Sequence, residues 1–575
     1  MPRLLCAGLL LAVLPTGNSW ALDVLVNQVG FEPNSPKVCR VQRASDYAGG
    51  GTFSVKRASD NVEVFSGTLT RKGALWDKFY WEGDFSSFKT AGDYFVSASV
   101  SGESGSSYSF TIQENVWLAQ TGVLVYQYFW TQRCGVAVTG WHGVCHSDDG
   151  LRKDNSVHMD AAGGWHDAGD YNKFPHGFAG DGLFGLLWLY DNNRAHYDAI
   201  DTDTNGIPDI LDEALHQARW LAKMVEPSGH IMRETQKRRT GPTWVRPEND
   251  TDNVIGNSDD RWINPGDEIT PQETTCLAGL IKMHRILASK GLPTENFRDK
   301  ALAIWNHRVA LAIAEGGHNN LGNAAMHVWG GLDLYAVTGQ QDCWDRSLQK
   351  VDEISSGAIA NPSFYDSIGY AEGPGYDMGV LAWFARNYPA TAQATGARNG
   401  VVALMNRYKY LADDPIGLIR RVDNEYGGGG LYYFPTNPDW NGFYLGLNRL
   451  YLLLTWAGIE AYKLTYDQSY LRFAIDQYNW VMGANYNRVC MVEQAGDYNL
   501  ARYHTRYDTL PGHSSGKQPG VVPNGYVRYY ASGLPYIDLS TNRYQTNEGW
   551  LINNAAYAMA ISEMTVFQDT TPPHR

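Results

Sequence analysis

The spacing of apolar residues changes near position 114 of this 575-residue chain, and that change limits the folds it can adopt. Between residues 22 and 113, short β-prone runs and turn residues alternate every 8 to 12 positions. Seven such runs lie at 24–26, 37–41, 52–55, 62–65, 79–81, 94–100 and 108–112. Short strands at this spacing are typical of a β-sandwich, so we predict a small all-β immunoglobulin-like domain over residues 22–113.

From residue 115 onward the apolar spacing is about 3.6 residues, the repeat of an α-helix. The clearest stripe lies at 207–224, with Pro208 near its start, where proline favours helix entry. Similar stripes lie at 117–130, 178–190, 274–288, 301–314, 324–337, 378–386, 392–411, 445–464, 470–482 and 548–567, with a weaker one at 344–354. About a dozen helices and almost no strands can pair as two rings of a toroid, so an all-α domain is predicted over 114–575.

The first 21 residues predict export. Arg3 precedes the apolar run 4–14, and residues 19–21 end in small side chains that suit signal peptidase. A membrane anchor would need about 20 apolar residues, more than this run offers. We therefore predict a signal peptide over residues 1–21 and a secreted or periplasmic protein that does not reside in a membrane.

The net charge limits the classes of ligand that this protein can bind, and the cysteine content limits its disulfides. The formal net charge of −14 argues against nucleic acid or an anionic membrane surface as the ligand, and we expect a monomer. Export leaves six cysteines, which are too few for disulfides to be the main support of so long a chain. They are Cys39, Cys134, Cys145, Cys276, Cys343 and Cys490.

The segment GGWHDAGDY at 163–171 places Asp167 and Asp170 three residues apart in a glycine-rich stretch between aromatic rings. Hydrolysis of a glycosidic bond needs one carboxylate to activate water and a distant carboxylic acid to protonate the leaving oxygen. Flat sugar faces pack on aromatic rings, of which this chain has many, including 19 tryptophans and 35 tyrosines. The alternative is a hydrogen-bonded aspartate pair in a turn.

A calcium loop is predicted ahead of the 207–224 helix. Oxygen-bearing side chains occupy positions 1, 3, 5, 9 and 12 of a twelve-residue segment, with Gly206 at position 6. They are Asp201, Asp203, Asn205, Asp209 and Asp212. The competing interpretation is an Asx-rich turn that caps the helix, and Pro208 at position 8 departs from the usual EF-hand loop.

A second candidate metal site consists of Cys134, Cys145, His146 and His166, a Cys2His2 set that suits tetrahedral Zn²⁺. The spacing is not that of a zinc finger. Two alternatives stay open, a Cys134–Cys145 disulfide and the use of His142 or His158 as ligands.

Several motifs together resemble glycoside hydrolase family 9. The segment GGWHDAGDYNKF at 163–174 is similar to the family signature, and further similar motifs follow in family order. They are PDILDE at 208–213, LDLYAVTGQ at 332–340, WVMGAN at 480–485, HTR at 504–506, and Asn547–Glu548 followed by Asn554–Ala555. The resemblance implies an (α/α)6 barrel, in a family of mostly cellulases that hydrolyse β-1,4-glucans with inversion. A subgroup carries an amino-terminal immunoglobulin-like domain.

Residue by residue, the resemblance implies that Asp170 is the catalytic base, that Asp167 helps to hold the attacking water and that Glu548 is the general acid. We expect burial beside Trp550 to raise the pKa of Glu548, so that it keeps its proton until it donates. The alternative for Glu548 is a carboxylate at a helix amino terminus, where the macrodipole favours it.

The same resemblance implies that His504 and Arg506 donate hydrogen bonds to sugar hydroxyls. It makes Trp440 and Tyr544 candidate sugar platforms, and it implies a structural zinc at the Cys2His2 set in members with the immunoglobulin-like domain. Weaker aromatic candidates, for which a core position is at least as plausible, are Trp329, Tyr365, Tyr432 and Tyr433.

The implied function is that of an inverting endo-β-1,4-glucanase acting on β-1,4-linked polysaccharide or oligosaccharide. Trp550 stands where the family has a small residue, and this departure near the cleft leaves endo and exo action open. The alternatives are an exo-acting β-glucosidase or cellobiohydrolase, an exo-β-glucosaminidase, and a catalytically inactive carbohydrate-binding protein.

Overall fold

A computed structural model describes most of the chain after residue 21. The described ranges are 22–175, 177–238, 244–265, 273–314, 324–366, 373–423, 428–437, 445–529 and 532–567. The predicted signal peptide and Trp440 therefore lie outside the described residues.

Eight antiparallel strands form the amino-terminal domain. They are β1 (Asp23–Leu25), β2 (Val38–Arg43), β3 (Gly51–Arg57), β4 (Glu63–Leu75), β5 (Lys78–Asp84), β6 (Gly92–Val100), β7 (Glu103–Ser106) and β8 (Phe110–Ile112). The order is β1-β2-β5-β4-β3-β6-β7, and β8 also pairs with β6. Inward-facing apolar residues such as Phe53, Trp81 and Val96 are buried between the layers. The predicted sandwich is confirmed.

The long strand β4 joins the two layers. Its first half pairs with β3, and from Thr70 its second half pairs with β5, with a register shift between Arg71 and Gly73 inside that pairing. Two details differ from the prediction. β4 is much longer than the predicted 62–65 run, and β7 was not predicted, because its sequence ESGS carries no large apolar side chain and its pairing with β6 supplies the order.

Fourteen helices are seen in the described part of the second domain. They are α1 (Val116–Thr131), α2 (Phe178–Asn192), α3 (Arg194–Tyr197), α4 (Asp209–Met224), α5 (Glu273–Ser289), α6 (Phe297–Ala314), α7 (Ala324–Thr338), α8 (Gln341–Ala360), α9 (Gly373–Asn387), α10 (Gln393–Leu411), α11 (Asn448–Thr465), α12 (Gln468–Val481), α13 (Tyr544–Asn547) and α14 (Leu551–Ile561).

The long helices form two concentric rings. Helices α2, α5, α7, α9, α11 and α14 contact one another in that order, and α14 closes the ring on α2. Around them lie α1, α4, α6, α8, α10 and α12, each packed on the inner ring. The inner helices are buried over most of their length, and every residue of α14 is buried, as expected for a helix without a polar face. The predicted (α/α)6 barrel is confirmed.

The expectation of almost no strands in this domain is wrong in detail. Within the described ranges, eight short strands lie in the connecting loops, in sheets of two or three strands. They are β9 (Leu151–Arg152), β10 (Glu234–Arg238), β11 (Arg261–Asn264), β12 (Arg421–Asp423), β13 (Gly430–Tyr432), β14 (Thr436–Asn437), β15 (Val527–Tyr529) and β16 (Pro535–Tyr536). Such short pairings carry no apolar alternation long enough to be recognised in a sequence.

The sandwich packs directly on the barrel. The Glu32 carboxylate accepts hydrogen bonds from the Asn115 and Val116 N–H groups at the start of α1, at 2.9 and 2.8 Å. Arg40 of β2 forms a buried ion pair with Asp476 of α12 at 2.6 Å. No described helix combines the length and the apolar character needed to cross a bilayer.

Candidate active site

The two aspartates lie in the loop between α1 and α2, and this loop packs against the segment that carries His504 and Arg506. A Cβ added at Gly169 would lie 2.4 Å from the His504 carbonyl oxygen and 2.7 Å from the Thr505 Cα, so only glycine fits there. The Arg506 N–H donates to the Gly169 carbonyl oxygen at 3.1 Å. The glycine between the aspartates thus allows the close contact that holds Asp167 and Asp170 beside His504 and Arg506.

Glu548 reaches the same place from the far end of the chain. It lies in extended backbone between α13 and α14, and its carbonyl oxygen accepts from the Asn524 N–H at 2.9 Å. The Leu551 N–H at the start of α14 donates to the Asp167 carbonyl oxygen at 2.9 Å. The predicted helix 548–567 therefore begins later, at Leu551, because residues 548–550 are extended. The alternative required Glu548 to lie in the first turn of that helix, and Glu548 does not lie there.

The three carboxyl groups influence one another. Glu548 is 6% exposed, and its burial, followed by the charge of Asp170, raises its pKa to about 8. Trp550, the Gly169 N–H and Arg506 favour the ionised form and offset only part of this rise. Burial and the charges of Asp170 and Glu548 also raise the pKa of Asp167 well above its usual range. A carboxyl group in this site therefore keeps its proton at neutral pH.

Asp170 has a different environment from Glu548. It is half-buried, and Asn172 donates to both of its oxygens, from its N–H at 3.3 Å and from its Nδ2 at 2.5 Å. Both Asp170 oxygens therefore accept hydrogen bonds from the same residue, one from its backbone and one from its side chain. The sequence analysis did not single out Asn172, although it lies inside the signature segment.

His504, Arg506 and Tyr544 lie around the carboxyl groups. His504 Nδ1 lies 2.8 Å from the Asn542 carbonyl oxygen, and its ring centroid is 5.8 Å from that of Tyr544. The Arg506 guanidinium lies over the Tyr171 ring at 5.3 Å, and its Nη1 donates to Asp250 Oδ1 at 3.3 Å. The structure thus brings these three predicted residues together with Asp167, Asp170 and Glu548.

The aromatic predictions have mixed outcomes. Trp329 is 3% exposed and packs among Phe184, Trp188 and Trp456 inside the barrel, so it is a core residue. The buried Tyr365 hydroxyl donates to Asp377 at 2.9 Å. Tyr433 packs against Trp76 of the sandwich, with ring centroids 5.0 Å apart. Tyr432 lies under the Arg528 guanidinium at 4.3 Å.

Trp244 is an aromatic residue that the sequence analysis missed. It is 39% exposed, its ring centroid is 5.0 Å from that of His504, and its Nε1 donates to Asp508 Oδ1 at 2.9 Å. No motif surrounds it in the sequence, so only the fold reveals its position. An exposed indole beside the predicted sugar-binding histidine is a candidate stacking surface.

The Cys2His2 residues form a compact buried group, with their four ligand atoms all within 4.8 Å of one another. Cys134 Sγ lies 3.7 Å from His146 Nδ1, Cys145 Sγ lies 3.8 Å from His166 Nε2, and the two histidine nitrogens are 3.2 Å apart. A tetrahedral zinc with its usual bond lengths places neighbouring ligand atoms about 3.3 to 3.8 Å apart. This group is able to hold a metal ion.

The alternatives for this group do not occur. Both cysteines are free thiols, so they form no disulfide. His142 Nδ1 lies 2.6 Å from the Gly143 carbonyl oxygen, His158 Nε2 lies 3.3 Å from the Asp148 carbonyl oxygen, and neither belongs to the group. One carboxylate outside the group contacts it, since Asp250 Oδ2 lies 3.2 Å from His146 Nε2.

In the predicted calcium loop, carboxylate groups accept hydrogen bonds from backbone N–H groups of the same loop. Gly206 N–H donates to Asp201 Oδ2 at 3.0 Å, and Thr202 N–H donates to Asp209 Oδ1 at 2.8 Å. Asn205 Nδ2 donates to Asp203 at 3.1 Å and to Asp212 at 2.8 Å. Among the described residues, no three carboxylates of this loop converge on one point. These contacts match the Asx-rich turn, and calcium here stays a prediction.

Comparisons with known proteins identify the family. The sequence profile described as Glycosyl hydrolase family 9 matches residues 123–561, and that described as Cellulase N-terminal ig-like domain matches residues 21–103. The chain belongs to glycoside hydrolase family 9. This family 9 chain is 32% identical over 571 residues to Endoglucanase D of Acetivibrio thermocellus, covering 94% of this chain and 83% of the relative.

Two solved structures of family 9 enzymes have the same fold. A metagenome-derived family 9 endoglucanase superposes with a TM-score of 0.73 at 22% identity, covering 94% of this chain and 99% of that structure. A Zn-binding triple mutant of the family 9 endoglucanase J30 superposes with a TM-score of 0.71 at 18% identity, covering 93% and 99%. These two structures therefore show the same fold as the family 9 chain, with a sandwich ahead of an (α/α)6 barrel.

Proposed function

We propose that this protein is an inverting endo-β-1,4-glucanase that hydrolyses cellulose or related β-1,4-glucans. The observation that carries the proposal is the meeting of Asp167, Asp170 and Glu548 in one site, with Glu548 buried at a pKa of about 8 and Asp170 half-buried beside two donors. Acid–base glycoside hydrolysis needs one carboxyl group that keeps its proton and a second that accepts a proton from water. The raised pKa of Glu548 supports it as the first, and the position of Asp170 in the same site supports it as the second.

In the proposed mechanism Asp170 removes a proton from a water molecule, and that water attacks the anomeric carbon from the face opposite the leaving group. Glu548 gives its proton to the glycosidic oxygen as the bond to the anomeric carbon breaks. The configuration of that carbon inverts, and each carboxyl group then returns to its starting state by exchange with solvent.

Asp167 is proposed to hold the attacking water together with Asp170. Its Oδ1 is buried and has no hydrogen-bond partner in the described part of the chain. Because an unpaired buried oxygen is costly, a water molecule bound there satisfies Asp167 and lies close to Asp170.

The sugar is proposed to bind along His504, Arg506, Tyr544 and the missed Trp244. The exposed Trp244 indole and the half-buried Tyr544 phenol offer flat apolar faces, while the imidazole and guanidinium groups offer donors to hydroxyl groups. Trp440 stays a candidate from the sequence alone. The similarity to Endoglucanase D, 83% of which this chain covers, supports endo action on a glucan.

We assign a structural zinc to Cys134, Cys145, His146 and His166. Two thiolates and two imidazoles at tetrahedral spacing suit Zn²⁺ better than a hard cation, and Asp250 accepts from the far nitrogen of His146 as a supporting partner. His166 directly precedes Asp167, so a bound zinc stiffens the loop of the base. Calcium at the 201–212 loop, export through the 1–21 segment and a monomeric state remain part of the proposal.

The test compares the protein with its Glu548→Gln variant, and with Asp160→Asn as a control for loss of an exposed carboxylate. Soluble cellulose derivatives should release reducing ends with the protein and the control, and almost none with Glu548→Gln. The first product from cellohexaose should be the α-anomer by ¹H NMR. Full activity in Glu548→Gln would reject the acid role, and no activity in the parent protein would favour a binding protein.

Product sizes separate the enzymatic alternatives. An endo-acting enzyme cuts cellohexaose internally and lowers the viscosity of a soluble derivative early in the reaction. Release of glucose or cellobiose alone from a chain end would favour exo action, and cleavage of chitosan oligomers would favour a glucosaminidase.

A further inference from the structure

Three carboxylates come together beside the Cys2His2 group and outside the sugar site. Asp148, Asp252 and Asp259 each place one oxygen within 4.8 Å of the other two. In the described part of the chain none of the three forms an ion pair with a basic side chain. The neighbouring Asp149 differs, since Arg261 lies 2.6 Å and Lys173 2.7 Å from its carboxylate.

Asp148 contains a buried oxygen that lacks a partner. The residue is fully buried, and its Oδ1 accepts from the Thr251 hydroxyl at 2.7 Å. Its Oδ2 is buried too, and no hydrogen-bond donor among the described residues reaches it. Leaving a buried carboxylate oxygen unpaired is unfavourable, so a ligand that pairs with it stabilises the fold.

The other two carboxylates lie on a loop that is already docked on Asp148. Asp252 N–H donates to Asp259 Oδ2 at 2.8 Å, and Asn257 Nδ2 donates to Asp252 at 2.9 Å. Asn253 Oδ1 accepts from the Ser147 N–H at 2.8 Å, which ties the loop to the segment of Asp148. These donors orient the carboxylates, and no basic side chain in the described ranges pairs with any of the three.

We propose that Asp148, Asp252 and Asp259 bind a calcium ion, separate from the zinc group and from the 201–212 loop. The ligand atoms are all oxygens, which hard cations prefer over Zn²⁺. Ca²⁺ takes oxygens at about 2.3 to 2.6 Å, so ligands on opposite sides of it lie about 4.6 to 5.2 Å apart. The three carboxylate oxygens lie within 4.8 Å of one another, so one ion of this size can contact all of them. The proposal does not depend on the substrate of the enzyme.

The ion would link two segments that matter to the sugar site. Asp148 follows the zinc ligand His146 by two residues, and Asp252 follows Asp250 by two. Asp250 contacts both His146 and Arg506, at 3.2 and 3.3 Å. Calcium bound by Asp148 and Asp252 therefore holds together the two chain segments that the His146–Asp250 contact joins.

The test titrates Ca²⁺ into the full chain by calorimetry, after dialysis against EGTA and with the zinc content measured in each sample. Asp148→Asn and Asp259→Asn remove one charge each, Asp203→Asn reports on the other loop, and Asp154→Asn controls for an exposed aspartate. We expect Asp148→Asn and Asp259→Asn to weaken one binding event about 10-fold or more, since loss of even an outer partner of a metal costs that much.

The half-exposed position of Asp259 keeps the test sound if Asp148→Asn fails to fold. Asp203→Asn and Asp154→Asn should retain that binding event. The proposal is overturned if Asp259→Asn binds Ca²⁺ with the affinity and stoichiometry of the parent protein, or if Asp203→Asn alone removes all Ca²⁺ binding.

Discussion

At the scale of single residues, the protonation of Glu548 decides the chemistry. Its side chain is removed from water and lies near Asp170, and both effects favour the protonated form. A carboxyl group with a raised pKa holds its proton below that value and loses it as the pH rises through it. The general acid is therefore present at neutral pH and disappears in mildly alkaline solution.

We accordingly predict that kcat/KM falls about tenfold per pH unit above a value near 8, the pKa of Glu548. Initial rates on cellohexaose between pH 5 and 10 measure this limb, which should be missing from the residual activity of Glu548→Gln. A rate that stays level up to pH 10 would contradict the assignment.

A second prediction at this scale concerns Trp244, whose exposed ring lies beside His504. Trp244→Ala should raise KM for cellohexaose by about 10-fold or more, because one stacked aromatic platform contributes roughly 1 to 3 kcal/mol where such stacking has been measured on nucleobases. Trp244→Phe should retain most of the affinity. Unchanged KM in Trp244→Ala would place the sugar elsewhere.

At the scale of elements, one line of side chains connects the Cys2His2 group to the sugar site. His146 contacts Asp250, Asp250 contacts Arg506, and Arg506 lies over Tyr171. Asp250 contacts the predicted zinc ligand His146 and the predicted sugar-binding residue Arg506, so we assign it as a positioning residue for both. Arg506 in turn favours ionisation of Glu548, which extends the connection to the general acid.

We predict that Asp250→Asn weakens zinc binding by about 10- to 100-fold, as loss of an outer-shell carboxylate commonly does, and raises KM more than it lowers kcat. Zinc retention against a chelator and steady-state kinetics on cellohexaose measure the two effects, with Asp154→Asn as the control. Loss of stability without either effect would assign Asp250 a purely structural role.

The sequence predicted the elements better than their ends. The first turn of α9 contains Gly-Pro-Gly, which in a sequence indicates a turn rather than a helix. The helix nevertheless begins there, and Gly375 packs so close to α11 that an added Cβ would lie 2.5 Å from the Leu453 Cβ. Helix α8 is longer than its weak stripe, because an outer helix needs only one narrow apolar face. Local spacing does not contain these tertiary contacts.

The residues of the candidate site were likewise only partly predictable from the sequence. Asp167, Asp170 and Glu548 were found because they stand in recognisable motifs. Trp244 and Asp250 stand in none, and they reach the site only because the loop that carries them folds over it. The zinc ligands lie at irregular intervals, so their chemistry suggested a metal but their spacing could not.

At the scale of the whole molecule, the sandwich caps the amino terminus of the first barrel helix, α1. The Glu32 carboxylate accepts from two N–H groups that α1 leaves without partners at its amino terminus. Asn27 and Arg40 of the same domain bind Asn479 and Asp476 of α12. The two domains therefore stabilise each other, and the sandwich needs no sugar-binding role to explain its presence.

We predict that Glu32→Ala lowers the free energy of unfolding by about 1 to 2 kcal/mol, the usual cost of losing a helix cap. The neighbouring exposed Glu114→Ala is the matched control and should change it little. Chemical denaturation followed by circular dichroism measures both. Equal stability in the two variants would show that the contact at α1 contributes nothing.

The most direct test of the central claim, that Asp170 and Glu548 act as base and acid on one sugar, is the dependence of rate on the leaving group. A dinitrophenyl β-cellobioside needs no protonation to depart, whereas cellohexaose does. Glu548→Gln should lose about 10²- to 10⁴-fold on cellohexaose and far less on the dinitrophenyl substrate, while Asp170→Asn should lose heavily on both. Equal losses on the two substrates in Glu548→Gln would contradict the account.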